Sequence, residues 1–217
     1  MVRPINPLIN TVHRVHPMKK MVILETTPTT INFTITPSTN SFLNAIRRTL
    51  LSEVPTIAID LVTVHKNTTC IPNEMLVHRL SLIPLPITPL KRKEECTCNV
   101  SCPECSVTFS LNAVSNEGMT VNASHLFSDA VDTTRLKGLI CKMGEKQSVK
   151  MTALARTGVA KEHAKFCVVT VVKINGEKIE FEVLDEVGKP ADVLVMALRV
   201  IKEKVGRLIR AIEEYEG

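Results

Sequence analysis

Four cysteines stand in one short stretch, Cys96-Thr-Cys98-Asn-Val-Ser-Cys102-Pro-Glu-Cys105, separated by one, three and two residues. Thiolates at such spacing can close a tetrahedral shell around Zn2+ with bonds of about 2.3 Å, and a closed four-sulfur shell leaves no position open for substrate. One ion held there would be structural. An iron–sulfur cluster is the rival reading, although the ferredoxin run spaces its first cysteines differently. Four unligated thiols at one turn is the third, and exposed free thiols oxidise. The other three of the seven cysteines, Cys70, Cys141 and Cys167, are scattered through apolar sequence. An odd, clustered set fits a reducing compartment and a metal better than a disulfide scaffold.

Catalytic chemistry is harder to place. The six histidines, His13, His16, His65, His78, His125 and His163, are dispersed. They form no His-Glu-x-x-His helix, and the chain shows no nucleophile elbow and no Gly-rich phosphate loop. His78-Arg79 lies in the apolar segment Met75–Ile83, where a lone histidine is more often a structural residue than a base. Asp60 has no second acid or base near it in sequence and reads as a strand-end or turn residue. No catalytic residue is assigned, and a binding or assembly protein is expected rather than an enzyme. Arg47-Arg48 flanks an apolar stripe, a place where paired guanidiniums suit a protein interface. Lys91-Arg92-Lys93 followed by Glu94-Glu95 is self-compensating charge on a solvated loop.

The elements that position these residues follow from patterning in a chain of 217 residues, 44% hydrophobic and 23% charged, which excludes a disordered or fibrous protein. Aromatics are only 3%, so the core must be aliphatic and base-stacking platforms are disfavoured. The net charge of +5 permits polyanion contact without demanding it. No run of about 18 apolar residues is present to span a membrane. Residues 1–20 read as a basic, Pro-containing arm without the apolar core of a secretory signal. Ile31, Phe33 and Ile35 alternate with polar residues as a half-buried strand does, ending at Pro37. Ser41–Glu53 places Phe42, Leu43, Ile46, Leu50 and Val54 on one helical stripe, with Ser38 or Asn40 as caps. Thr56–Val64 reads as a buried strand. Between Cys70 and Lys165, prolines and glycines punctuate what reads as a loop-rich module of short strands. Phe166–Ile174 and Glu177–Leu184 form a hairpin turning at Asn175-Gly176, with Ile179, Phe181 and Val183 inward. From Ala191, the residues Leu194, Leu198, Ile201, Val205, Leu208 and Ile212 recur at heptad spacing. Such a stripe ordinarily packs on its own sheet, yet this one is broad enough to serve a second chain on its other flank.

Several segments together resemble one family. Asn44-Ala-Ile-Arg-Arg-Thr-Leu-Leu-Ser-Glu-Val-Pro-Thr-Ile-Ala-Ile-Asp60 resembles the α-motif of RNA polymerase assembly subunits. That family comprises the N-terminal domain of the bacterial α subunit, the third-largest subunit of eukaryotic RNA polymerase II and their archaeal D-type counterpart. His78-Arg-Leu-Ser-Leu-Ile-Pro-Leu85 and Gly158-Val-Ala-Lys-Glu-His-Ala-Lys165 are similar to its further signatures. The spacing of Cys96, Cys98, Cys102 and Cys105 is similar to the zinc loop of the eukaryotic form, which the bacterial α subunit lacks. The likeness covers residues 21–217.

The resemblance implies an α+β fold: a dimerisation domain from both chain ends (21–60 and 166–217), with an antiparallel sheet and two helices. A mostly β insert domain (61–165) would carry the zinc loop 96–105 with one structural Zn2+. It implies a non-catalytic scaffold that pairs with a smaller α-like subunit and docks the large catalytic subunits, with little direct nucleic-acid contact and no membrane. Phe42, Ile46, Leu194, Leu198, Ile201, Val205, Leu208 and Ile212 would form the dimer interface, and Arg47 and Arg48 would meet the second-largest subunit. The chain ends soon after the heptad helix, so neither the C-terminal tail of the nuclear subunits nor a bacterial DNA-binding domain is expected. The nucleus is the expected location for a cellular protein, the cytoplasm or virion for one encoded by a large DNA virus. Two other readings stand beside this one: a stand-alone zinc-stabilised nucleic-acid binder, and a redox enzyme using Cys102-Pro-Glu-Cys105.

Overall fold

Alternation of apolar and polar side chains builds the first layer. In a computed structural model that describes residues 20–88 and 90–216, β1 (Lys20–Thr26) and β2 (Thr30–Thr36) pair antiparallel. The basic arm expected at 1–20 lies outside the described residues except for Lys20, which opens β1. β2 buries Ile31, Phe33 and Ile35, as a period of two requires. β9 (Val169–Asn175) and β10 (Lys178–Val183) complete a four-stranded sheet ordered β1-β2-β10-β9. Their hairpin turns at Gly176-Glu177, one residue beyond the expected Asn175-Gly176, because Asn175 pairs with Lys178 and the left-handed φ of 59° falls on Gly176.

Two helices cover one face of this sheet. α1 (Asn40–Ser52) buries Leu43, Ile46 and Leu50. Its cap is neither Ser38 nor Asn40 but Thr39, whose extended backbone lets the side chain accept from the Phe42 N–H. α3 (Pro190–Glu216) starts with proline in the first turn, where a missing N–H costs nothing, and buries Val193, Leu194 and Ala197. Phe33 and Phe181 meet edge to face at 6.4 Å in the centre of this core.

A second core forms around a separate sheet. β3 (Thr56–Asn67), β8 (Gln147–Gly158), β4 (Ser106–Ser115) and the short β6 (Leu126–Phe127) are ordered β3-β8-β4-β6, with β5 (Met119–Asn122) and β7 (Leu139–Met143) as a two-stranded ribbon. β4 and β8 are long, not the short strands that the punctuation predicts. Their inward sets, Val107-Phe109-Leu111-Ala113 and Val149-Met151-Ala153-Ala155, alternate without a break. The segment around His78 is helical: α2 (Asn73–Ser81) packs Leu76 and Leu80 into this core and leaves His78 exposed. β3 is buried only over Thr56–Ile59, and its Ile57 and Ile59 join the second core, which therefore begins ahead of the boundary expected at residue 61. Asp60 sits within β3, not at its end or in a turn. Cys70 is exposed rather than in apolar surroundings, whereas Cys141 is buried and Cys167 half-buried.

The two cores meet where the chain returns. The Lys161 N–H donates to the Ser52 carbonyl at the end of α1, and Thr56 Oγ1 donates to the Phe166 carbonyl. Phe166 lies flat against Gly158, so close that a Cβ there would stand 2.4 Å from the ring. Glycine is required at that point by contact.

Candidate metal centre and partner face

The cysteine loop is built from two tight turns. A 3-10 turn at Lys93–Glu95 leads into Cys96, and the Cys102 carbonyl accepts from the N–H groups of Cys105 and Ser106 and from Ser106 Oγ, anchoring the last two cysteines at the root of β4. The Sγ atoms then converge. Cys96 lies 3.4 Å from both Cys98 and Cys102, and Cys105 lies 3.5 Å from Cys98 and 3.6 Å from Cys102. All four sulfurs fall within 4.8 Å of one another. Sulfurs placed about 2.3 Å from a tetrahedral centre stand about 3.8 Å apart, so this cage has the dimensions of a four-thiolate metal site with slight inward contraction. The donor set can hold one metal ion.

Electrostatics favours the thiolate form at one corner. Lys93 Nζ donates to Cys98 Sγ at 3.1 Å and also to the Cys98 carbonyl. That ammonium, helped by the neighbouring thiols, draws the Cys98 thiol down to about 6. Lys93 is thus part of the cluster, and the view of 91–95 as self-compensating solvated charge fails. Lys91 pairs with Glu104 at 2.7 Å across the loop, not with Glu94 or Glu95. Charges four or more residues apart in sequence meet because the loop folds back, which no local pattern announces.

The residues expected at a partner interface divide into two groups. Ile46 and Leu194 are fully buried in the chain's own core and present no surface, so their assignment to an interface is corrected. Their stripe is the one that faces the sheet. Phe42, Leu198 and Ile201 are half-buried along its edge. Beyond them Val205, Leu208 and Ile212 are 49%, 65% and 58% exposed, joined by Ile209 at 50%. The C-terminal half of α3 runs past the edge of its own sheet, and Lys204 pairs with Glu53 where it leaves α1 behind.

Arg47 and Arg48 are unlike each other. Arg47 is half-buried and donates from Nε and Nη2 to Asn44 Oδ1 at 3.1 and 2.8 Å, which fixes the guanidinium one turn from its own backbone. Arg48 is exposed beside it. A further group escaped sequence reasoning: Asp60, Arg156 and Lys165 meet between β3, β8 and the returning chain, with Lys165 Nζ 2.7 Å from Asp60 Oδ1. The available signal was a lone acid inside an apolar strand.

Comparison with known proteins gives this arrangement a context. Residues 32–205 match the family described as the RNA polymerase Rpb3/Rpb11 dimerisation domain. The chain is 28% identical over 249 aligned residues to DNA-directed RNA polymerase II subunit RPB3 of Schizosaccharomyces pombe, covering 85% of this chain and 84% of that one. It is 31% identical over 194 residues to RNA polymerase II subunit rpb3 of Dictyostelium discoideum, covering 78% and 64%. Similarity to DNA-directed RNA polymerase subunit Rpo3 of Methanothermobacter thermautotrophicus is 36% over 153 residues, covering 67% and 57%. The match thus spans most of the Schizosaccharomyces relative but little more than half of the Methanothermobacter one.

Proposed function

Because the chain belongs to the RNA polymerase Rpb3/Rpb11 dimerisation-domain family, we propose that it is an assembly subunit of a multisubunit DNA-directed RNA polymerase and contributes no catalytic group of its own. It pairs with a smaller α-like subunit, and the pair docks the large subunits that carry the active site. The observation that carries this reading is the uncovered half of α3. At about 1.5 Å per residue, the stretch from Ile201 to Ile212 offers an apolar ridge about 16 Å long. A chain in water does not keep such a ridge wet without a partner. The matching element is a helix pair like α1 and α3, so that two α-like chains together form a four-helix layer between two sheets.

Within that assembly each part has a physical task. The first core holds α1 and α3 at a fixed angle, so the ridge is presented as a rigid surface and little ordering is lost on pairing. Arg47, pre-oriented by Asn44, and Arg48 are set to meet carboxylates of the second-largest subunit outside the ridge. Residues 61–165 hang from this platform as an insert domain, with Ile57 and Ile59 of β3 packed into its core, and the four cysteines hold one structural Zn2+. The bound ion would supply cross-linking alone, since a four-thiolate shell has no open position. Lys93 offsets the net negative charge of such a site. Such a subunit acts in the nucleus where a eukaryotic cell encodes it, and in the cytoplasm or virion where a large DNA virus does.

Isolation of the native protein with identification of co-purifying polypeptides tests the reading directly. A small α-like subunit and the two largest polymerase subunits are expected in fixed stoichiometry. Recovery of the chain alone, or template-dependent RNA synthesis by the pure chain, would overturn it.

A further inference from the structure

Arg156 lies near the end of β8 with its side chain only 16% exposed, an unusual place for a guanidinium. Its Nη2 donates to the Val100 carbonyl at 2.7 Å, in the middle of the cysteine loop between Cys98 and Cys102. Its Nη1 faces Asp60 Oδ2 at 3.7 Å. Asp60 in turn holds Lys165, whose ammonium also donates to the Ile59 carbonyl and lies 5.2 Å from the centroid of Phe166. Phe166 is the ring pressed on Gly158, and the same returning segment bonds to the end of α1 through Lys161. An unbroken set of polar contacts therefore runs from the cysteine loop to the joint between the two cores.

We propose that Arg156 is a positioning residue that couples metal occupancy of the cysteine loop to the order of residues 159–166 at this joint. The inference rests on the reading that Cys96, Cys98, Cys102 and Cys105 hold a metal ion. Residues 91–105 bury only Cys105, so this loop has no core to fix its backbone. Convergence of the sulfurs does that instead, and it presents the Val100 carbonyl to Arg156. Arg156 Nε is buried without an acceptor among the described residues, so its two Nη ends carry the anchoring. When the sulfurs separate, Arg156 loses its short contact and is left with Asp60, which Lys165 already holds more closely. A half-buried guanidinium deprived of an acceptor draws the remaining carboxylate toward itself, at the expense of the Lys165 tie. Two links without the short contact of Arg156 run in parallel: Thr157 Oγ1 to the Leu90 carbonyl at 3.3 Å, which is part-buried, and Arg92 to Glu162 at 3.7 Å, which is more exposed than the Arg156–Asp60 pair.

Hydrogen exchange of the full chain, as it purifies, tests the coupling, with metal content measured on the same samples. In the parent protein, chelation should raise exchange of residues 159–166 about tenfold, the weight of one charge-assisted hydrogen bond, while β9 and β10 stay protected. Arg156→Ala should keep its metal, show the raised exchange already in the metal-loaded state, and respond little to chelation. Should Arg156→Ala fail to fold, Asp60→Asn breaks the next link with a side chain of nearly the same shape and should give the same pattern. A metal-loaded variant whose 159–166 segment still responds to chelation as the parent does would overturn the coupling, as would a parent segment indifferent to chelation. Absence of metal from the parent protein would instead defeat the reading on which the coupling rests.

Discussion

Replacing Leu208 by Asp separates the packing of α3 on its own sheet from the pairing proposed for its C-terminal half. Leu208 is 65% exposed in the chain by itself, whereas Leu194, on the same helix, is 3% exposed and packs against the sheet. Full burial of a leucine side chain contributes about 1.5–3 kcal/mol, so covering the remaining two thirds against a partner contributes about 1–2 kcal/mol, and Leu208→Ala should weaken pairing about 5–30-fold. Leu208→Asp adds the burial of an unpaired carboxylate, worth several kcal/mol more, and should weaken pairing about a thousandfold or beyond. Neither change touches the first core, so the chain's own melting temperature should hold within a few degrees. Leu194→Ala should do the reverse, removing about 2–5 kcal/mol from the fold through cavity formation. Co-expression with the α-like partner, followed by affinity capture and thermal melting of each variant, reads both quantities. Full retention of the partner by Leu208→Asp would refute the argument. So would a loss of thermal stability in Leu208→Asp as large as that in Leu194→Ala, which would show that the ridge is already covered by the chain's own residues.

Elemental analysis of protein prepared under reducing conditions should find one zinc per chain. Cys98→Ser should release it and raise hydrogen exchange across 91–105 while the β1-β2-β10-β9 sheet keeps its protection; iron, or zinc retained by Cys98→Ser, would contradict this. Metal uptake requires deprotonated thiols, so acidification should release the ion. The Cys98 thiol is lowered to about 6 by Lys93, hence the thiolate is favoured above that value and lost as pH falls through it. Lys93→Gln should move metal release to higher pH, measured with a chromogenic chelator, and an unchanged release profile would deny Lys93 that role. Arg47→Glu reverses charge outside the ridge and should leave the heterodimer intact while reducing capture of the second-largest subunit; equal capture would remove Arg47 from that contact.

The legible parts of this fold are those in which one local period decides burial. Ile31-Phe33-Ile35 and Ile179-Phe181-Val183 alternate and fall on one face, and the long apolar recurrence of α3 needs no tertiary information. The cysteine spacing is equally plain because four thiols within one loop have few other uses. What escapes is set by contacts distant in sequence. α2 shows only two buried residues, Leu76 and Leu80, and no side-chain cap, so nine residues carry too weak a helical period beside neighbouring prolines. β8 alternates, but two of its four inward residues are alanines, and small side chains mute the signal that distinguishes a strand from a loop.

The division of labour along α3 is the least legible feature and bears most on function. Heptad spacing runs unbroken from Leu194 to Ile212, so sequence treats these residues as one seam. The sheet beneath is only four strands wide, about 15 Å at about 4.8 Å between neighbours, and its strands of 6 or 7 residues are about 20–23 Å long, whereas a helix of 27 residues is about 40 Å long. A helix lying on that sheet must overrun it. The overrun begins after Ile201, where exposure rises while the apolar period continues. A solvated extension would be expected to turn polar on every face, and this one keeps Val205, Leu208, Ile209 and Ile212 together. Continuity of the period beyond the reach of the chain's own sheet is therefore the observation on which the proposed pairing with a second chain rests. It also explains why Ile46 and Leu194, members of the same stripes by spacing, serve the fold instead.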